Sequence, residues 1–204
     1  MKTDLNCGVF AKVFTSNQVE NMISLFKRAR ASSTLGNDYH GIGPDHLGYL
    51  FVKKMLLDPI NQLVGVESKL IFAFYLECVT PLYIHRDIKP IPAANGKPFL
   101  SFVIPYSVDE DVSKCNYART LIFDQYGYEN NDSLPDINNN VENLHQVHLQ
   151  HNKLSWCKKF SLKQDIQWNT GDLIWWDSRL AHSSNDFKAI GCNSKQGIVM
   201  HTYV

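Results

Sequence analysis

The stretch Tyr83–Pro90, YIHRDIKP, has two readings that lead to different folds. By residue type it looks like the catalytic loop of a protein kinase. By spacing it is a His-x-Asp pair, His85 and Asp87, that could hold a metal. The kinase loop needs an Asn for its second metal where Pro92 stands here,. No Asp-Phe-Gly follows, and neither a G-x-G-x-x-G loop nor a Val-Ala-Ile-Lys strand comes before. Only 82 residues precede Tyr83, few for a nucleotide-binding lobe. The kinase reading fails on these absences.

The metal reading needs context. With 8 histidines and 14 aspartates among 204 residues, roughly one such chain in two carries a His-x-Asp by chance,. Here the pair follows a strand-like run, FAFYLECVTPLYI. On a strand, residues i and i+2 share a face, so both side chains can reach one point. A second histidine, His182, ends WNTGDLIWWDSRLAH, where Gly171-Asp172 reads as a turn into a strand. A distant strand can bring it back beside the pair. Two imidazoles and one carboxylate on one side of a metal form the facial set of non-haem Fe(II) oxygenases, which leaves positions open. Lys195 then opens the last strand-like run, KQGIVMHTYV. A dicarboxylate clamped to a metal needs such a cation for its far end.

The rest of the chain suits a β scaffold. Residues 17–31, NQVENMISLFKRARA, predict a helix from Val19, Met22, Ile23 and Phe26, with Asn17 and Glu20 as a capping pair,. A second helix is expected near 45–57. After Gly65 the texture changes to short β-branched and aromatic runs: KLIFAFYLECV, KPFLSFVIPYSV, RTLIFDQ, LIWWDS and GIVMHTYV,. No amphipathic helices alternate with them, which argues against a parallel sheet. The expected organisation is one domain over 1–204: a helical layer over about 1–65, then an antiparallel β sandwich or barrel over 66–204. The Asn-rich segment 129–159 reads as an insertion, and loops of this length are often lids or binding loops.

Lys plus Arg and Asp plus Glu both number 20, so the net charge is zero, which argues against nucleic acid or an anionic membrane as partner,. No apolar run is long enough to span a membrane. The N-terminal residues lack a signal-peptide apolar core. The five cysteines form no C-x-x-C, as expected of reduced thiols in a cytoplasmic protein,.

With these residues in place the sequence resembles the Fe(II)/2-oxoglutarate-dependent dioxygenases. The matching features are His85-x-Asp87, the strands FLSFVIPYSV and TLIFDQ, the turn and strand ending in His182, and the cation with its terminal strand. The match covers about residues 72–204 and rests on order and spacing more than identity. It implies a mainly β fold with N-terminal helices and a double-stranded β-helix (jelly-roll, cupin-like) core. Fe(II) would sit on His85, Asp87 and His182. The cosubstrate 2-oxoglutarate would be decarboxylated to succinate while a substrate C–H is hydroxylated. Many members place an Arg in the last strand, where this chain has Lys195. Arg119 is therefore a rival for the cosubstrate carboxylate, with Tyr83 and Ser184 as candidate hydrogen-bond helpers. Trp175, Trp176, Phe102, Ile104 and Phe123 are candidate cavity walls, although ordinary core packing also explains them.

Other residues take simpler explanations. His145, His148 and His151 are spaced i, i+3, i+6, so on a helix His145 and His148 share a face, but no Cys or carboxylate nearby completes a zinc site, and the run reads as a solvated polar segment. His40 and His46 flank a turn. His201 reads as a packed histidine, and Asp177 and Arg179 either orient His182 or pair with each other. The loop 89–98 follows the metal pair directly. Two other classes stay open: a cupin-like metalloprotein without 2-oxoglutarate, and a non-catalytic binding domain with an accidental His-x-Asp. The substrate expected is a small molecule or an amino-acid side chain.

Overall fold

The computed structural model describes residues 7–32, 39–42, 51–87, 99–107, 118–126, 134–138 and 141–204. The first helix, α1 (Ser16–Ser32), extends slightly past both expected ends. Its capping pair is Thr15 and Gln18, not Asn17 and Glu20: the Thr15 N–H donates to Gln18 Oε1 (2.9 Å) and the Gln18 N–H to Thr15 Oγ1 (3.4 Å),. Val19 and Met22 are buried, as the periodicity requires; nothing is described for the Phe26 side chain. The second helical stretch is a π-helical turn, Val52–Leu57, that continues into α2 (Asp58–Val64), so it extends past the expected end. Residues 45–50 of that expectation, His46 among them, lie outside the described residues, as does the loop 89–98.

The described residues form nine strands in chain order: β1 (Cys7–Phe10), β2 (Tyr39–Ile42), β3 (Lys69–Cys78), β4 (Phe99–Ser107), β5 (Arg119–Tyr126), β6 (Leu162–Gln167), β7 (Leu173–Asp177), β8 (Leu180–Ser184) and β9 (Lys195–Tyr203). They form a large sheet of order β1-β7-β4-β9-β3-β2 and a small sheet of order β6-β5-β8. Every pairing among them is antiparallel, as expected without crossover helices. The first 65 residues are not helical alone: β1 and β2 pair with β7 and β3 of the large sheet.

Two-residue alternation sorts the large sheet into two faces. Tyr75, Phe102, Ile104, Leu173, Ile198 and Met200 point outward against Val19, Met22, Leu56 and Ile60 of the helical layer. Leu76, Val103, Ile174, Trp176 and Val199 point inward to meet Ile122, Ile166, Trp168 and Leu180. The inward residues stack in register across the sheet: Phe72, His201, Ser101 and Trp176 form one row, and Phe74, Val199, Val103 and Ile174 the next. Lys195 faces Cys78 at the far end.

The 129–159 insertion contains two short helices, α3 (Glu142–His148) and α4 (Leu154–Cys157). With Val141, Leu149, Cys157 and Phe160 it covers the outer face of the small sheet, against Leu121, Phe123 and Ala181. The turn before β7 depends on Gly171, whose φ is +85° and where an added Cβ would lie 2.8 Å from the Phe14 carbonyl oxygen,.

Candidate metal centre

Thr80-Pro81 ends the strand that was expected to run on into His85. Pro81 has no N–H to donate to a ladder, and the chain crosses from the large sheet to the small one. There His85 and His182 form an isolated antiparallel bridge, each N–H donating to the other's carbonyl at 2.9 Å. Two ligands far apart in sequence are thereby set side by side, with ring centroids 4.3 Å apart. Asp87 projects to the same point. Its Oδ1 lies 3.1 Å from His182 Nε2 and 3.9 Å from His85 Nε2. One ligand atom from each of the three residues lies within 4.8 Å of the others.

The hydrogen bonds prepare these groups for a cation. His85 Nδ1 donates to the Tyr83 carbonyl (2.6 Å) and His182 Nδ1 to the Leu180 carbonyl (3.0 Å), in each case two residues back. Each Nε2 is left facing Asp87, that of His182 within hydrogen-bond distance of Oδ1 (3.1 Å), and a metal ion would take the place of the proton there,. Trp176 Nε1 donates to Asp87 Oδ2 (3.1 Å) and leaves Oδ1 for the shared point. The His182–Asp87 separation is about that of neighbouring ligands with bonds of ~2.1 Å to one ion. A His-His-Asp set suits Fe(II).

Charges follow from this crowding. Burial, then His182, push His85 down to about 4. Burial alone would raise Asp87, but His182 above all holds it well below the usual carboxylate range. Burial alone would lower His182, but the Asp87 carboxylate outweighs it and raises the imidazole.

The triad lines a cavity of about 70 Å³ walled also by Phe74, Leu76, Leu82, Val103, Trp168 and Val199. Of the five walls expected from sequence, only Trp176 lines it. Trp175, Phe102 and Ile104 sit on the outward face of the large sheet, and Phe123 on the outer face of the small one, by strand parity.

Lys195 lines the cavity and is buried, 2% exposed. Its Nζ donates to the Arg119 carbonyl (3.3 Å) and lies 4.1 Å over the Trp168 ring. No carboxylate among the described residues pairs with it, and burial lowers it to about 8. An ammonium buried without a counter-ion fits an anionic ligand. Gly197 lets the Trp168 ring come close, since a Cβ there would lie 3.5 Å from it and 2.9 Å from the Ile104 oxygen. Trp168 is held by a bond from Nε1 to Thr120 Oγ1 (2.7 Å).

The other candidates divide. Ser184 lines the cavity. The Arg119 guanidinium pairs with Asp165 on β6 (3.0 Å), and its backbone oxygen is what meets Lys195. The Tyr83 side chain is 59% exposed beside the His151 ring, and its carbonyl is what meets His85. Asp177 pairs with Arg179 through Nε (2.9 Å). His201 bonds Ser101 Oγ (3.0 Å) and packs tilted against the Phe72 ring (4.5 Å between centroids), as a packed histidine. Reading the sequence missed Trp168 and the Trp176–Asp87 bond; aromatic content was the one hint, and it does not name a partner.

No family model and no curated protein matches the sequence. Solved structures do match. The non-heme alpha ketoglutarate dependent epimerase SnoN from nogalamycin biosynthesis aligns with TM-score 0.62 and 11% identity, over 97% of this chain and 78% of that one. HygX from Streptomyces hygroscopicus, with nickel and 2-oxoglutarate bound, gives 0.59 and 13%, over 98% and 83%. A Pseudomonas putida prolyl-4-hydroxylase gives 0.56 and 10%, over 98% and 92%. The shared architecture is the double-stranded β-helix, or jelly roll.

Proposed function

We propose that this chain, which has the fold of the α-ketoglutarate-dependent enzymes, is itself an Fe(II)/2-oxoglutarate-dependent oxygenase that hydroxylates a small molecule or an amino-acid side chain. One observation carries the reading: a His-His-Asp set and a buried ammonium with no carboxylate partner among the described residues line the same largely apolar cavity. A cupin without 2-oxoglutarate has no need of Lys195 there, and a binding domain has no need of either.

His85, Asp87 and His182 would hold Fe(II). Bound Fe(II) with 2-oxoglutarate supplies oxidative decarboxylation to succinate and oxidation of a substrate C–H. The Lys195 ammonium would receive the cosubstrate's far carboxylate, and Ser184 lines the same cavity. The apolar walls keep water away and so strengthen that charge pair. Trp176 donates to Asp87 Oδ2, so that Oδ1 is the oxygen that would hold the ion.

The epimerase SnoN has the same fold, so hydroxylation is the outcome proposed for this chain rather than a property of the fold. Zero net charge supports neither nucleic acid nor a membrane as partner. Among the described residues no helix is long and apolar enough to cross a membrane. Cys7, Cys78, Cys157 and Cys192 are in thiol form, which supports a reducing, cytoplasmic setting,.

Anaerobic titration with Fe(II) and 2-oxoglutarate tests the reading. A weak visible charge-transfer band is expected in wild type and not in His182→Ala, with succinate released on admitting oxygen. No band in wild type, or an unchanged band in the variant, sinks it. With the physiological substrate, the product should gain one oxygen atom.

A further inference from the structure

We propose that the helical insertion braces the metal centre from outside, and that Asn152 is the positioning residue through which it acts. This inference rests on the metal reading above.

The segment carrying His85 runs beside β8 of the small sheet. It joins β8 through the His85–His182 bridge and one bond from the Ser184 N–H to the Leu82 carbonyl (3.2 Å). In an antiparallel bridge the N–H groups of neighbouring residues point to opposite sides. The Ile84 N–H therefore turns away from β8, toward a side with no strand among the described residues. Asn152 Oδ1 accepts it at 2.8 Å and stands in for the carbonyl of a missing strand.

Asn152 is itself fixed and buried, 4% exposed. Its N–H donates to the Leu149 carbonyl (2.8 Å) and its carbonyl accepts from His145 Nε2 (3.0 Å). Its Nδ2 donates to Ser183 Oγ (3.4 Å), beside the ligand His182. Ser183 Oγ donates to the Leu82 carbonyl (2.8 Å), and His151 Nε2 lies 3.0 Å from that carbonyl and 2.9 Å from Asn152 Nδ2. One asparagine thus touches both strands that carry histidine ligands. Three of the residues that the sequence presents as a polar histidine run, His145, His151 and Asn152, form the bracket. Its apolar side, Val141 and Leu149, is buried against the small sheet.

Anaerobic Co(II) binding to the full chain tests this, with Asn152→Ala compared against Leu149→Ala. Leu149 is a buried residue of the same insertion whose apolar side chain makes no hydrogen bond to either ligand strand. Asn152→Ala is expected to weaken Co(II) about tenfold to a hundredfold and to shift its visible ligand-field bands. Leu149→Ala should lower the melting temperature at least as much, yet keep the wild-type bands and an affinity within about threefold. If Asn152→Ala does not fold, His151→Phe keeps the ring volume, loses the Leu82 bond and should weaken Co(II) about fivefold or more. Wild-type affinity and bands in the Asn152 or His151 variant overturn the brace, as does an equal loss in Leu149→Ala. Wild type that takes up no Co(II) overturns the metal reading itself.

Discussion

His85 and His182 each commit Nδ1 to the carbonyl two residues back, so their free nitrogens converge without help from an ion. Asp87 is aimed by a tryptophan rather than by a second acid. Trp176→Phe keeps the wall and deletes that bond; metal affinity should fall about tenfold, read by calorimetry with Mn(II). Lys195→Met should leave metal affinity near wild type and weaken 2-oxoglutarate by about 1.5–3 kcal/mol, the worth of a bond to a charged group. The pH dependence has a definite sign. Burial lowers Lys195 to about 8, so the empty site holds an ammonium below that pH and an amine above it. Binding a carboxylate above about pH 8 requires proton uptake, and affinity should fall up to about tenfold per pH unit. Calorimetry on the Mn(II)-loaded protein across that range would show a flat profile if another group binds the carboxylate. For stability the sign is opposite. Between about 8 and the ordinary 10.5 the folded chain binds fewer protons than the unfolded one, so the ligand-free protein gains stability as pH rises,.

At the scale of elements, strands with two apolar faces were legible and strands built for the site were not. β3, β4, β5, β7 and β9 announce themselves through runs such as LIFAFYL and FLSFVI. β8, LAHSS, is buried at all five positions yet reads as a polar corner. Its polar residues are internal because each is engaged there, with His182 at the ligand point, Ser183 on Leu82 and Ser184 in the cavity. β6, LKQDIQ, is half-exposed and carries too little apolar signal. The same parity that placed His85 with Asp87 would have placed Phe102 and Ile104 with the helices, had the sheet's inner face been known. The ligands were readable because spacing and order survive in sequence; their Trp176, Trp168 and Asn152 supports were not, because they act through tertiary contacts alone. β9 also carries a tight backbone approach beside the cavity. Gly197→Ala puts a Cβ 2.9 Å from the Ile104 oxygen. The strand must shift, at a cost of about 1–3 kcal/mol. Denaturant midpoints would measure it, with weaker 2-oxoglutarate binding as Lys195 moves.

At the scale of the molecule the described residues form a stack: helices, large sheet, cavity layer, small sheet and the α3–α4 insertion, with apolar packing at each join. Metal should stabilise this stack by mass action, since the unfolded chain has no assembled site. Mn(II) at about a hundred times its dissociation constant should add about 2.7 kcal/mol, chelator should remove the gain, and His182→Ala should show none. Calorimetric or fluorescence melting reads all three. The His85–His182 bridge has one further consequence. Each amide proton of the pair is locked behind the other's carbonyl, so neither can exchange with solvent deuterium unless the two ligands separate. Their exchange rates, followed residue by residue, are therefore a clock for opening of the ligand pair. That clock should slow when an ion holds the two rings together, and it needs neither colour nor turnover to be read.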